Sequence, residues 1–271
     1  MIRGLSAHLN TLYADLDEAD RCSAAAEDGF RCVEMWAAPA SDGAAQMVDR
    51  IEELGLSVAS INTIEGPEPD DFGLAAEPSF INEWRDHFLG VQEFARSVNA
   101  GAINVLVGGR RQSVGRETQR RCLLDNLDWA LKRVGPEGPV LLLEPLNATD
   151  RRSPLLRDTA GALSVITELG HPRQLRLLFD AYHLFQEEDD LIRTLHLVNG
   201  TIGHVQLADY PGRAEPGTGE VPVANFLAEL ERTGYSGWVG LEYFPRREGS
   251  RFSWLRDYAD LDDRSLPEVA S

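Results

Sequence analysis

The sequence predicts an α/β chain wound into one (β/α)8 TIM barrel over residues 1–271, and three observations carry that expectation. Eight short apolar runs recur along the chain, longer amphipathic stretches separate them, and the 271 residues are close to the roughly 250 such a barrel uses. The runs fall at 4–9, 32–36, 56–62, 102–107, 139–144, 175–180, 202–207 and 238–242, each the length of a strand buried on both faces. Between them, residues 81–97 place Trp84, Phe88, Val91 and Phe94 at helical spacing, and residues 117–133 do the same with Leu123, Leu127, Ala130 and Leu131. Gly55, Gly135, Gly170 and Gly234 are the expected helix stops. No low-complexity linker interrupts the alternation, and a doubly wound sheet is the other arrangement that would accommodate it.

Composition narrows the function. A hydrophobic content of 43% supplies a sizeable core, and 44 acidic against 26 basic residues give a formal net charge of −18. A field of that sign repels phosphate backbones, which argues against a nucleic-acid partner; its simplest use is solubility. Lys132 is the single lysine, so Schiff-base chemistry would rest on one residue in a polar helical stretch. Cys22, Cys32 and Cys122, without CxxC spacing, fit neither a disulfide framework nor a zinc knuckle. The opening MIRGLSAHLNTLY lacks the apolar core of a signal peptide, and no apolar run reaches the roughly 18 residues of a membrane span. A cytoplasmic protein without a membrane partner is expected, and a homo-oligomer is compatible with the sequence. Neither GxGxxG nor GxxxxGK[ST] occurs, so dinucleotide and P-loop binding are not signalled.

Barrel chemistry gathers where the C-terminal ends of the strands meet the βα loops. Four runs end there in an oxygen-bearing side chain: VLLLE at Glu144, LRLLFD at Asp180, IGHVQ at Gln206 and WVGLE at Glu242, spaced by 36, 26 and 36 residues. Three carboxylates and one amide oxygen suit Mg2+ or Mn2+ better than a soft metal. Four ligands leave two octahedral positions for a substrate carbonyl and its neighbouring hydroxyl, which is the arrangement that polarises a C=O toward an enediolate. Isomerisation also needs a base to remove a carbon-bound proton and an acid to return one. Glu144 and Glu242 approach from different sides of the mouth and are the expected catalytic pair.

Other side chains surround this ring. His183, three residues after Asp180, is placed to hold a substrate oxygen. His204 shares a strand face with Gln206 and either lies beneath the ligands or replaces one of them. His8 ends the first run and either packs or reaches the mouth. His87, His171 and His196 read as surface groups. Long loops at 63–80 and 208–221 suggest a lid or binding loop, and the second carries Arg213 and Glu215 among Gly212, Gly217 and Gly219. Arg213 there can clamp a substrate carboxylate with its planar fork. Trp36, Trp238, Tyr243 and Phe244 either line the pocket or pack the barrel.

The segments GHVQLADYPGRAEPGTGEV at 203–221, LLLEPLN at 141–147, LLFDAYH at 177–183 and GYSGWVGLEYFP at 234–245 together resemble the hydroxypyruvate isomerase family, part of the wider sugar-isomerase and epimerase superfamily of xylose isomerase-like barrels. The resemblance is specific over about 139–245 and looser before it, where SAHLNTLY, GFRCVEMW and INTIEG keep the outline. It implies a divalent metal on Glu144, Asp180, Gln206 and Glu242, proton transfer by Glu144 and Glu242, and substrate contacts from His183 and Arg213; Asn62 matches a family asparagine. The chain also departs from the family. His8 stands where an asparagine is usual, Ala37, Ala38 and Pro39 replace a bulky stretch, PEPDDFG at 67–73 lacks the loop arginine, and Ala214 replaces a histidine.

The expected function is therefore metal-dependent isomerisation of a small α-hydroxycarbonyl compound, a keto acid such as hydroxypyruvate or 2-oxo-tetronate, or a keto-sugar. A ketose 3-epimerase on the same metal site is the nearest alternative, although Gln206 stands where those enzymes use histidine. A noncatalytic metabolite-binding barrel is the alternative of another class.

Overall fold

The computed structural model describes residues 1–38, 41–68, 71–246, 252, 254 and 255. Pro39, and Pro69 and Asp70 of the 67–73 segment, lie outside the described residues. Eight parallel strands close on themselves in chain order: β1 (Gly4–His8), β2 (Cys32–Met35), β3 (Ser57–Asn62), β4 (Ala102–Asn104), β5 (Val140–Leu143), β6 (Leu175–Asp180), β7 (Ile202–Leu207) and β8 (Trp238–Leu241). Pairing of β1 with β8, from Gly4 opposite Trp238 to Ala7 opposite Leu241, shuts the ring and removes the doubly wound alternative.

The helices are α1 (Leu9–Leu12), α2 (Glu18–Glu27), α3 (Ser41–Glu53), α4 (Ile81–Ser97), α5 (Arg116–Val134), α6 (Thr159–Glu168), α7 (Ala181–Glu187), α8 (Leu191–Val198) and α9 (Val223–Arg232). Helix α4 has the bounds its periodicity predicts, and it buries Trp84, Phe88, Val91 and Phe94. The four glycines expected to stop helices all have positive φ. One strand is shorter than its apolar run: β4 ends at Asn104, Val105 N–H still donates to Leu142 O (2.9 Å), and the chain turns away at Leu106–Val107. There Leu106 N–H donates to Thr63 Oγ1 (2.9 Å) and Val107 bridges Gly73, so partners from the loop after β3 replace the strand ladder.

Alternation along each strand creates two cores. Outward side chains such as Leu141, Leu143, Phe179, Val205 and Leu241 pack beneath the helices in one continuous cluster. Phe179 stacks on Phe226 of α9 at 5.6 Å between centroids; burying each such ring contributes about 2–3 kcal/mol. Inside the barrel, Ala102, Leu142 and Leu178 form a separate small cluster under β4, β5 and β6. The interior beside β1, β2 and β7 is instead polar, with Ser6, Glu34, His204 and Gln206 all buried and hydrogen-bonded.

The 63–80 loop is tied down. Arg111 binds Asp71 and Glu77 (3.0 Å to the latter), and Asn126 Nδ2 donates to Ala75 O at 2.9 Å. Gly73 has φ +141°, and a Cβ there would lie 2.3 Å from the backbone of Leu106. Gly73→Ala is therefore expected to lower unfolding stability by about 2 kcal/mol or more. Urea melts of the two proteins check this.

Candidate active site

Each of the four strand-end oxygens expected from the sequence reaches the barrel mouth. Glu144 and Glu242 follow the last residues of β5 and β8, Asp180 closes β6, and Gln206 pairs directly with Asp180 across the β6–β7 ladder. All four are buried. Asp180 has two tasks. Its Oδ1 accepts from Tyr182 N–H (2.8 Å) as the N-cap of α7, which leaves Oδ2 toward the centre.

Arg213 is the cation at this centre. It lies on the 208–221 loop as expected and folds toward the centre: Nη2 lies 2.9 Å from Glu242 Oε1 and 3.3 Å from Asp180 Oδ2, and Nε donates to Glu242 O at 3.0 Å. Its loop makes this possible. Asp209 accepts from the N–H groups of Gly217 (2.8 Å), Gly219 (2.8 Å) and Val221 (2.9 Å), and exchanges backbone bonds with Ala214, which is wholly buried. Glu215 accepts from Arg246 N–H at 2.8 Å. Asp209→Ala would strand three donors and is expected to cost about 3 kcal/mol. Release of Arg213 should also lower kcat by at least about tenfold, which chemical denaturation and steady-state rates together would show.

The carboxylates outnumber their cation. Three of them face one guanidinium, so full ionisation leaves two negative charges unbalanced. Burial, reinforced by Glu242 and Asp180, pushes Glu144 up to about 8, against the opposing pull of Arg213 and Asn104. Burial pushes Asp180 up to about 6, although Arg213 opposes it. The same carboxylates raise Arg213 still further. Among the described residues, two buried carbonyl oxygens at this centre, Gln206 Oε1 and Asn104 Oδ1, have no donor. A negative excess beside an unpartnered oxygen acceptor fits a hard divalent cation: Glu144 and Asp180, with His183, bring candidate ligand atoms within 4.8 Å of one another, Glu242 groups with His8 and Glu34, and Gln206 Oε1 is the neutral acceptor.

His183 is oriented by its neighbours. Its Nδ1 accepts from Asn147 N–H (3.2 Å), with Asn147 Nδ2 at 2.7 Å. Burial, together with Arg213 and Arg151, holds its pKa well below the ordinary value, so the ring is neutral. A neutral ring that accepts at Nδ1 carries its proton on Nε2. That N–H points between Glu144 Oε1 (3.8 Å) and Asp180 Oδ2 (3.7 Å). His183 is thus a hydrogen-bond donor into the site, not a lone-pair ligand.

The other expected residues divide. His8 lies beside the ring, its Nε2 3.8 Å from Glu242 Oε1 and its ring against Trp36; burial lowers its pKa. His204 lies below Gln206 on β7 and hydrogen-bonds Glu34 at 2.7 Å, so it is placed beneath the ring. Asn62 ends β3 in register with Asn104, and among the described residues its side chain makes no bond to the four oxygens. His87 is half-buried in a groove between α3 and α4 rather than at the surface, because α4 turns it toward Ala44 and Val48. Trp238 begins β8 at the opposite end of the barrel under Arg3, and Tyr243 packs on Trp254, so neither lines the mouth.

Sequence reasoning missed three contacts. Trp36 Nε1 donates to Glu242 Oε1 at 2.7 Å, and Asn104 Nδ2 donates to Glu144 Oε2 at 2.7 Å. Glu34 accepts from Gln206 Nε2 at 3.0 Å. One signal was present for the last: a lone acid inside the run Cys32–Met35 of a strand buried on both faces must find partners.

Known proteins agree with this architecture. A family model described as the xylose isomerase-like TIM barrel matches residues 22–258. A Streptomyces coelicolor relative that carries hydroxypyruvate isomerase in its name is 35% identical, covering 92% of this chain and 94% of its own. A 2-oxo-tetronate isomerase of Cupriavidus necator is 32% identical over 93% and 97% of the two chains. Among solved structures, one described as AP endonuclease, family 2 from Brucella melitensis superposes with a TM-score of 0.88 at 26% identity, covering 95% of this chain and 99% of that one.

Proposed function

Because the chain belongs to the xylose isomerase-like TIM barrel family, we propose that it is an isomerase of a small α-hydroxycarbonyl acid of the hydroxypyruvate or 2-oxo-tetronate type. The observation that carries this reading is the pairing of Glu144 and Glu242 around one buried centre, with His183 Nε2–H and Arg213 beside them.

The chain's own groups supply the proton transfers. One glutamate takes the proton from the carbon bearing the hydroxyl, and that C–H pair becomes the C=C of a cis-enediolate. The other glutamate returns a proton to the neighbouring carbon, while a proton moves from the first oxygen to the second, so the carbonyl and the neighbouring hydroxyl exchange places with no net oxidation. Trp36 and Arg213 both donate to Glu242 Oε1 and fix that carboxylate; Asn104 does the same for Glu144. His183 Nε2–H is set to hold a substrate oxygen. A divalent cation on the four oxygens would polarise the carbonyl.

Curated relatives with both keto-acid names support this choice of substrate class. The net charge of −18 weighs against the nucleic-acid substrate of an endonuclease. Proton NMR of Mn2+-loaded protein with hydroxypyruvate, 2-oxo-tetronate and D-fructose tests the reading. Exchange of the carbonyl with the neighbouring hydroxyl in either keto acid, ketone to aldehyde for hydroxypyruvate and 2-oxo to 3-oxo for 2-oxo-tetronate, is the expected result; conversion of the ketose alone, with inversion at C3, would replace it by an epimerase.

A further inference from the structure

A buried acid beneath the site, Glu34, accepts a hydrogen bond from the Gln206 amide. Glu34 is wholly buried and lies inside the barrel on β2. Its Oε2 accepts from Ser6 Oγ (3.0 Å) and contacts His204 Nε2 (2.7 Å), and its Oε1 accepts from Gln206 Nε2 (3.0 Å). An ionised carboxylate can only accept. Beside it, the Gln206 amide must present its NH2, and its carbonyl oxygen is turned away. That oxygen, Oε1, is buried and has no donor among the described residues. Left alone, an amide has two nearly equivalent flips, and one of them would point NH2 at the centre and repel a cation.

A second observation is independent of these bonds. Gly240 on β8 is opposite Gln206 in the ladder, and a Cβ there would lie 2.2 Å from Glu34 Oε1. The space Glu34 occupies exists because position 240 carries no side chain.

We propose that Glu34 is a positioning residue, held by Ser6 and His204 and admitted by Gly240, that locks Gln206 with its carbonyl oxygen toward a divalent cation. The inference rests on the metal-dependent reading above and deepens it. Outer partners of this kind typically change metal affinity by about 10–100-fold when removed.

The test is Mn2+ titration of metal-stripped protein followed by electron paramagnetic resonance, with circular dichroism as the check on fold. Glu34→Gln should weaken Mn2+ binding by about 10–100-fold at unchanged secondary structure. Gln206→Glu alone should weaken it too, since two carboxylates would meet at the present 3.0 Å hydrogen bond. The double variant Glu34→Gln/Gln206→Glu reverses donor and acceptor and should return affinity to within about threefold of the parent; a role limited to packing would give no such rescue. Gly240→Ala, which displaces Glu34 without altering its chemistry, should weaken Mn2+ in the same direction and serves if Glu34→Gln does not fold. Parent-like affinity in Glu34→Gln and Gly240→Ala, or no rescue in the double variant, overturns the positioning role while leaving the metal reading intact. A parent protein that binds no Mn2+ overturns both.

Discussion

Glu242→Gln is expected to fold like the parent and to slow exchange of the substrate's carbon-bound proton with D2O by about 10³-fold or more. Removal of a positioned general acid or base typically forfeits 10²–10⁴-fold, and here the same group is also expected to hold the cation. The substitution is mild in shape. A glutamine Oε1 can still accept from Trp36 Nε1 and Arg213 Nη2, the two donors that now fix Glu242. It also removes one of the negative neighbours that raise Glu144 and Asp180, so the metal-free fold should be no weaker. Loss of the NMR exchange signal with an unchanged thermal transition is the outcome that supports the role. Exchange within about threefold of the parent would sink it, because a true proton-transfer group cannot be so dispensable.

Removal of the divalent cation should have the second large effect, and its sign depends on pH. In the metal-free protein Glu144 titrates near 8 and Asp180 near 6, both above their ordinary values of 4.5 and 3.8. A raised carboxylate binds its proton more tightly folded than unfolded. Its contribution is therefore intact below the unfolded value and is lost as pH rises toward the folded value. Metal-free protein should lose stability from about pH 5 to pH 8, by an amount on the order of 3 kcal/mol from Glu144 alone at neutral pH. Mn2+ should restore it, with a large rise in Tm at pH 8 and a small one at pH 5. Binding must also expel the proton: at pH 7 a carboxylic acid titrating near 8 is about nine-tenths protonated, so close to one proton should leave per ion. Calorimetry in buffers of different ionisation enthalpy would measure it. A Tm insensitive to Mn2+ at both pH values would contradict the cation site.

Much of this arrangement is written locally in the chain. A parallel strand covered on both faces is apolar throughout, so Glu144, Asp180 and Glu242 stand out as polar residues at the ends of the runs 139–144, 175–180 and 238–242. Helix α4 is equally local, since Trp84, Phe88 and Val91 mark one face. What escapes is set by closure of the ring. Glu34 and Gln206 are 172 positions apart and Trp36 and Glu242 are 206 apart, and no periodicity reports which inward residues meet across a barrel. Arg213 was legible as an arginine of the 208–221 loop but not as the partner of Glu242 and Asp180, because its inward course depends on a loop that three N–H groups tie to Asp209. The early end of β4 has the same origin: Leu106 and Val107 look like strand, yet Thr63 and Gly73 take their backbone groups.

The divided interior of the barrel also bears on how this protein could be re-engineered. Chemistry and robustness occupy different sectors of one cavity. Ala102, Leu142 and Leu178 touch each other and belong to neither the carboxylate ring nor the network of Glu34, so a library at those three positions can be screened for thermal tolerance with catalysis as an independent axis. The sector of Ser6, Glu34, His204 and Gln206 offers no such freedom: a gain in packing there is bought with the geometry of the centre above it. Directed evolution of this scaffold should begin on the first sector and leave the second, including the bare position 240, untouched.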